Sequence, residues 1–264
     1  MLRTILIPVE EGPHGTVADA HLWTVAERYE SHVYGVRIVD VNTLEEGLHE
    51  TEEARRLLER NALHDLEGFE QAYRSRHLTG RTEVIIGEPV EELVLCAPRA
   101  DLMIIGEALS TDDEDRNERQ AFIRAILHRI THPLLIAREG HEHLDRIVVG
   151  YDGSEKGGHA LQWGADMAER SGASLTVVVA TDRKEYGTRI IDDAEDYLTP
   201  YSLSMSPILF EGTPNEALTR TVHNEQADLI IIGSHGHGRL HELAFGSTTD
   251  HVLDNVDSSI LIFR

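Results

Sequence analysis

The chain repeats itself, and the repeat limits its fold more than any other feature. Residues 100–106 read ADLMIIG and residues 227–233 read ADLIIIG. Residues 3–12, RTILIPVEEG, line up with 146–154, RIVVGYDGS. Residues 87–93, GEPVEEL, match 212–218, GTPNEAL, and 132–138, HPLLIAR, match 258–264, SSILIFR. The matches fall in the same order in both halves, so one unit is duplicated in tandem. With 264 residues in all, each copy has the length of an ordinary domain. The domains are expected at 1–140 and 145–264, joined by the charged stretch REGHEHLD at 138–145.

Within each copy, short apolar runs alternate with helical patterns. In the first, strands are expected near 4–9, 33–40, 82–87, 102–106 and 133–137. Helices are expected near 16–29, 44–76, 90–99 and 118–130, the second of them long, charged and mostly solvated. In the second copy the strands fall near 147–151, 175–180, 207–211, 229–233 and 260–263, with helices near 154–171, 190–201, 214–226 and 247–256. This alternation predicts an α/β fold: two tandem Rossmann-like domains, each a five-stranded parallel sheet with helices on both faces. Ligands of such sheets bind beyond the carboxyl ends of the strands. Trp23 and Trp163 fall at similar places on the two first helices and are expected in the core.

The stretch 228–250, DLIIIGSHGHGRLHELAFGSTTD, carries the chemistry. Four apolar residues, Leu229 to Ile232, make a buried strand. Gly233, Gly236 and Gly246 follow, then Ser247, Thr248 and Thr249 at the start of a helix. Glycines at a strand end let backbone N–H groups approach a ligand, and a helix start adds positive dipole. The arrangement suits an anion, most plausibly phosphate, with the three hydroxyls as donors. No Lys-Ser/Thr pair follows the last glycine, so this is not a Walker loop, and it does not follow the first strand as a GxGxxG fingerprint does.

The spacing Gly-x2-Gly-x9-Gly-Ser/Thr resembles the nucleotide signature of the universal stress protein family, in its tandem two-domain form. The two ADLxIIG strands and the terminal LLIAR and ILIFR strands extend the resemblance over both copies. It implies that the two domains pair through their last strands as a pseudo-dimer, with a further homodimer as an option. It implies an adenine nucleotide, ATP or AMP, as ligand, with magnesium as companion. Gly150, Tyr151 and Asp152 would border the base and ribose, and the Ala180 backbone would meet the adenine. Gly233, His235, Gly236, Gly246, Ser247 and Thr248 would hold ribose and phosphates. Asp152 also has a plainer reading, as a helper of the next helix with Ser154 as N-cap. The implied work is nucleotide-dependent regulation in the stress response. The rivals are an interaction protein without nucleotide function and a weak ATPase. No residue pattern argues for more than slow hydrolysis, and no catalytic residue is assigned.

The first copy departs from the signature. After Gly106 it has no second glycine, and Asp112, Asp113, Glu114 and Asp115 stand in a row where the other copy has its loop. Glu10 replaces Asp152. Carboxylates a few Å from a phosphate repel it by about 1–4 kcal/mol each, so this copy is expected to take no nucleotide.

Charge narrows the partners. The net charge is -23, and only Lys156 and Lys184 among 24 basic residues are lysines. No basic face is available for nucleic acid. The composition points to a salt-rich cytoplasm, as in a halophilic archaeon. No apolar run reaches the roughly 18 residues of a membrane helix, and the N-terminus lacks signal-peptide features, so a cytoplasmic protein with an unnamed protein partner is expected. The single cysteine, Cys96, is expected to be a buried hydrophobe. His235, His237, His241 and His251 are close in sequence, but a dedicated metal site is not expected. His141 and His143 are expected to be solvated.

Overall fold

The computed structural model describes residues 2–40, 52–234 and 246–264. It divides into two units, Met1–Glu139 and Gly140–Arg264.

In the first unit the strands are β1 (Thr4–Pro8), β2 (His32–Asp40), β3 (Gly80–Gly87), β4 (Leu102–Glu107) and β5 (Leu134–Arg138). The described helices are α1 (Gly12–Tyr29), α2 (Glu52–Ser75), α3 (Pro89–Cys96) and α4 (Asp113–Arg129), with a 3₁₀ turn at Ala97–Arg99. The strands lie in the order β3-β2-β1-β4-β5, every pair parallel. The second unit repeats this with β6 (Arg146–Gly150), β7 (Ser174–Ala180), β8 (Met205–Phe210), β9 (Leu229–Gly233) and β10 (Ser259–Phe263). Its helices are α5 (Glu155–Ser171), α6 (Lys184–Leu198), α7 (Pro214–Glu225) and α8 (Ser247–Asn255). Its order is β8-β7-β6-β9-β10, again parallel throughout. Right-handed crossovers in this order put helices on both faces.

Burial follows from that layering. β1, β4, β9 and β10 are apolar runs buried almost throughout, as strands covered on both faces must be. The edge strands β3 and β8 are half-exposed instead. Each buried Ile or Leu contributes about 1.5–3 kcal/mol relative to exposure.

The two ADL aspartates lock this order. Asp101 Oδ2 accepts from the backbone N–H groups of Arg3 (2.8 Å) and Thr4 (2.9 Å). Asp228 Oδ2 accepts from Asp145 (3.1 Å) and Arg146 (3.0 Å), and its Oδ1 meets the Arg146 guanidinium at 3.1 Å. Each ties the chain entering the fourth strand of its unit to the start of the first. Burial pushes the Asp228 carboxyl up, but the Arg146 guanidinium and the two N–H groups outweigh it and hold the group below its ordinary range.

Several expectations need correction. α4 begins at Asp113 and not near 118, because the acidic row is its start. Asp112 is the N-cap, accepting from Glu114 N at 3.0 Å, and the next three carboxylates sit against the positive end of the helix dipole. α1 begins at Gly12 and not near 16, with Pro13 in its first turn, where a missing N–H costs nothing. α6 begins at Lys184, ahead of the expected 190. α2 is mostly exposed along its described length, as expected, but Ala62, Leu66, Phe69 and Tyr73 form a buried stripe at helical spacing. Trp23 and Trp163 are half-buried, not core. Trp23 packs on Phe69 at 5.4 Å and takes the Arg76 guanidinium over its face at 4.6 Å; Trp163 meets Phe263 edge-on at 5.3 Å. His141 is not freely solvated. Its Nδ1 lies 3.8 Å from Asp228 Oδ1, and neighbouring Leu144 is fully buried. Cys96 is buried, as expected.

Candidate functional site

A cavity of about 100 Å³ opens at the carboxyl ends of the second unit's strands. It sits where β6 and β9 part, the point at which the chain's windings diverge to opposite sides.

Its floor is apolar. Val178, Leu218 and Ile232 line it, with Pro214 at the start of α7. Gly150 ends β6 between these side chains. A Cβ there would lie 3.1 Å from Leu218 Cδ2 and 3.2 Å from Ile232 Cγ2, so the missing side chain leaves room that any other residue would take.

Its rim is polar. Asp152, Ser154 and Thr248 line it beside Tyr151. Asp152 Oδ1 accepts from Ser154 N at 3.0 Å, and Ser154 Oγ accepts from Gly157 N at 3.1 Å as the N-cap of α5. The helix-starting role of Asp152 is therefore real, and the residue faces the cavity as well. Burial raises the Tyr151 hydroxyl above its ordinary pKa, helped by the charges of Asp193 and Asp152.

The backbone adds a recognition edge. β6 and β7 pair as far as Gly150 and Val178, and Tyr151 N–H donates to the Val178 carbonyl at 2.9 Å. β7 continues beside β8 to Ala180, and Thr181 N donates to the Phe210 carbonyl at 3.0 Å. Alternate residues of a parallel strand face alternate neighbours. Ala180 thus faces the β6 side, beyond the last β6–β7 pair, and it lines the cavity.

Of the residues named from sequence, Gly150, Tyr151, Asp152, Ala180, Gly233 and Thr248 come together on this cavity. Gly246 caps α8, and its N–H lies 3.4 Å from the Ser234 carbonyl. Ser247 is exposed and does not line the cavity. His235 and Gly236 lie outside the described residues, as do His237 and His241. Thr249 is not a free phosphate donor: it is buried, and its Oγ1 donates back to the Ser234 carbonyl at 3.5 Å. Gly233 has a packing duty. A Cβ there would lie 2.9 Å from Lys156 Cβ and 3.0 Å from the Lys156 carbonyl carbon, so its bareness lets α5 dock on β9. Sequence reasoning missed the apolar floor. The available signals were the places of Val178 and Ile232 next to the strand ends, and of Leu218 one turn beyond Pro214. Among the described residues no cluster of three or more His, Cys, Asp or Glu is placed to hold a metal, and no helix is long and apolar enough to cross a membrane.

Residues 143–264, nearly the whole second unit, match the model of the universal stress protein family. The second unit is thus similar to the universal stress protein family. Universal stress protein Slr1230 of Synechocystis is 26% identical over 166 residues, which are 62% of this chain and 58% of that protein. The match thus spans under two thirds of that relative's length. Stress response protein NhaX of Bacillus subtilis is 26% identical over 46% of this chain and 99% of its own length. The crystal structure of a universal stress protein from Archaeoglobus fulgidus covers 99% of this chain and 96% of its own, with a TM-score of 0.79. At 15% identity that likeness speaks for the fold alone.

Proposed function

We propose that the second unit binds one adenine nucleotide, ATP or AMP, and that the chain works in the stress response as a nucleotide-dependent regulator. One observation carries the reading: the cavity at the β6/β9 divergence joins an apolar floor to a carboxylate and to the Ala180 backbone, which lies beyond the last β6–β7 pair. Val178, Leu218 and Ile232 offer a slot for a flat base, and the Ala180 backbone offers a donor and an acceptor to its edge. Asp152 can accept from ribose hydroxyls. The start of α8 at Gly246 and Thr248 gives the positive end of a helix toward phosphate. A magnesium ion arriving with the phosphates would find one carboxylate, Asp152, among the described lining residues. That suits an ion held chiefly by phosphate oxygens and water. The acidic, lysine-poor composition supports placing the chain in a salt-rich cytoplasm, as of a halophilic archaeon.

The test is calorimetric titration of the whole chain with Mg-ATP and with AMP in molar KCl, beside Asp152→Ala. The expected result is one nucleotide per chain and at least a tenfold weaker Kd in the variant, about 1.4 kcal/mol. Absence of heat with both nucleotides would sink the reading.

A further inference from the structure

We propose that Arg119 is a built-in occupant of the first unit's crevice, and that this side chain decides which unit stays open to a ligand. The two units can be superposed residue by residue through their hydrogen bonds. Val9 N donates to the Val36 carbonyl at 2.8 Å, as Tyr151 N does to Val178 at 2.9 Å. Glu10 therefore stands at the place of Asp152. Ile5 pairs with Leu102 as Ile147 pairs with Leu229, so Gly106 stands at the place of Gly233. These two positions border the cavity in the second unit.

The difference lies in the last helix. α4 and α8 end alike: Ile130 N caps onto the Ile126 carbonyl and Val256 N onto Val252, and both cap residues are extended. Their buried sets agree as well, Ile123, Ile126 and Leu127 against Thr249, Val252 and Leu253. Yet α4 has 17 residues and α8 has 9. The surplus is all at the amino end, and Arg119 belongs to it. The Arg119 Nε donates to the Gly106 carbonyl at 2.7 Å, and its two Nη atoms bind the Glu10 oxygens at 3.0 and 2.8 Å. Its guanidinium also lies 4.9 Å from the ring of Phe122, the residue at the place of Thr248. Only 9% of Arg119 is exposed. A second contact fastens the same extension: His14 Nδ1 accepts from Ala108 N at 2.9 Å, and Asp115 lies 3.7 Å from His14 Nε2.

The fork of a guanidinium on a carboxylate is a strong, directional pair, and breaking it would strand a buried charge. A ligand entering the first unit would have to break it. The row of carboxylates adds repulsion outside; Arg119 fills the space inside. This inference does not depend on what the second unit binds.

The experiment is hydrogen–deuterium exchange with mass spectrometry on the full chain, following peptides over residues 9–11 and 106–108, with those over 150–154 and 178–181 as reference. In Arg119→Ala the first pair is expected to exchange at least tenfold faster, with the second pair unmoved. Millimolar methylguanidinium is expected to restore the protection, and methylammonium is not. Unchanged exchange in the variant, or equal rescue by both cations, overturns the proposal. If Arg119→Ala does not fold, Arg119→Lys keeps the charge and loses the fork, and the same split between the two cations is expected. The wild type supplies a check that needs no variant. Saturating Mg-ATP is expected to leave residues 9–11 and 106–108 unprotected beyond their resting level, and added protection there overturns the proposal. If no nucleotide binds anywhere, the function proposed above fails while the guanidinium rescue still reads out Arg119.

Discussion

At the scale of single residues, three strand-end glycines do different work. At Gly150 an added methyl meets only the side-chain methyls of Leu218 and Ile232, at 3.1 and 3.2 Å. Gly150→Ala should therefore cost about 1 kcal/mol in stability, the low end for an added methyl, while it narrows the cavity, and should weaken nucleotide binding tenfold or more by calorimetry. At Gly233 the methyl meets the Lys156 backbone, and at Gly106 it falls inside contact of the His14 carbonyl oxygen. Gly233→Ala and Gly106→Ala should each lose about 1–3 kcal/mol or more in denaturant melts, whether or not ligand is present. Asp228 makes a prediction in pH. Its folded pKa lies below the ordinary carboxylate value, so the stabilisation is complete above the unfolded value of about 3.9 and fades as pH falls through the folded one. Asp228→Asn should cost about 1–2 kcal/mol, evenly from pH 8 to 5, and the gap to wild type should close below about pH 4. A gap that widened on acidification would contradict this assignment.

At the scale of elements, helix starts decide what each crevice contains. α5 starts on Ser154, whose Oγ accepts from Gly157 N, with Asp152 bracing Ser154 from before the helix. Ser154→Ala should cost about 1 kcal/mol and weaken ligand binding, because the carboxylate loses the turn that aims it. A melt unchanged by that substitution would mean the cap is idle. α4 shows the opposite use of a helix start. Its acidic first turn favours two extra turns of helix, and those turns carry Arg119 to Glu10. The same strand order thus presents an open cavity in one unit and an internal ion pair in the other.

At the scale of the whole chain, the charge of -23 governs behaviour in salt. Repulsion among exposed carboxylates opposes folding, and salt shortens its range from about 10 Å at 0.1 M to about 3 Å at 1 M. The melting temperature should climb steadily as KCl rises over that range. A flat profile would show that the acidic surface does not limit stability. The stoichiometry is the other whole-chain quantity: one nucleotide per chain is expected, not two.

The sequence by itself determined what is local and periodic. The repeat, the parallel α/β units and the strand ends near 150–152, 180 and 233 were legible because apolar period and glycine placement act within a few residues. Tertiary structure decided what depends on distant groups meeting. The floor of Val178, Leu218 and Ile232 draws on three elements, and no spacing announces it. Two helices start earlier than the apolar period suggests because an acidic cap or a proline favours an earlier turn, at Asp112 and at Pro13. Asp101 and Asp228 became clamps only once the first and fourth strands lay side by side. Arg119 and Glu10 are 109 residues apart in the chain. Their meeting follows from the helix packing, and a linear pattern holds no record of it.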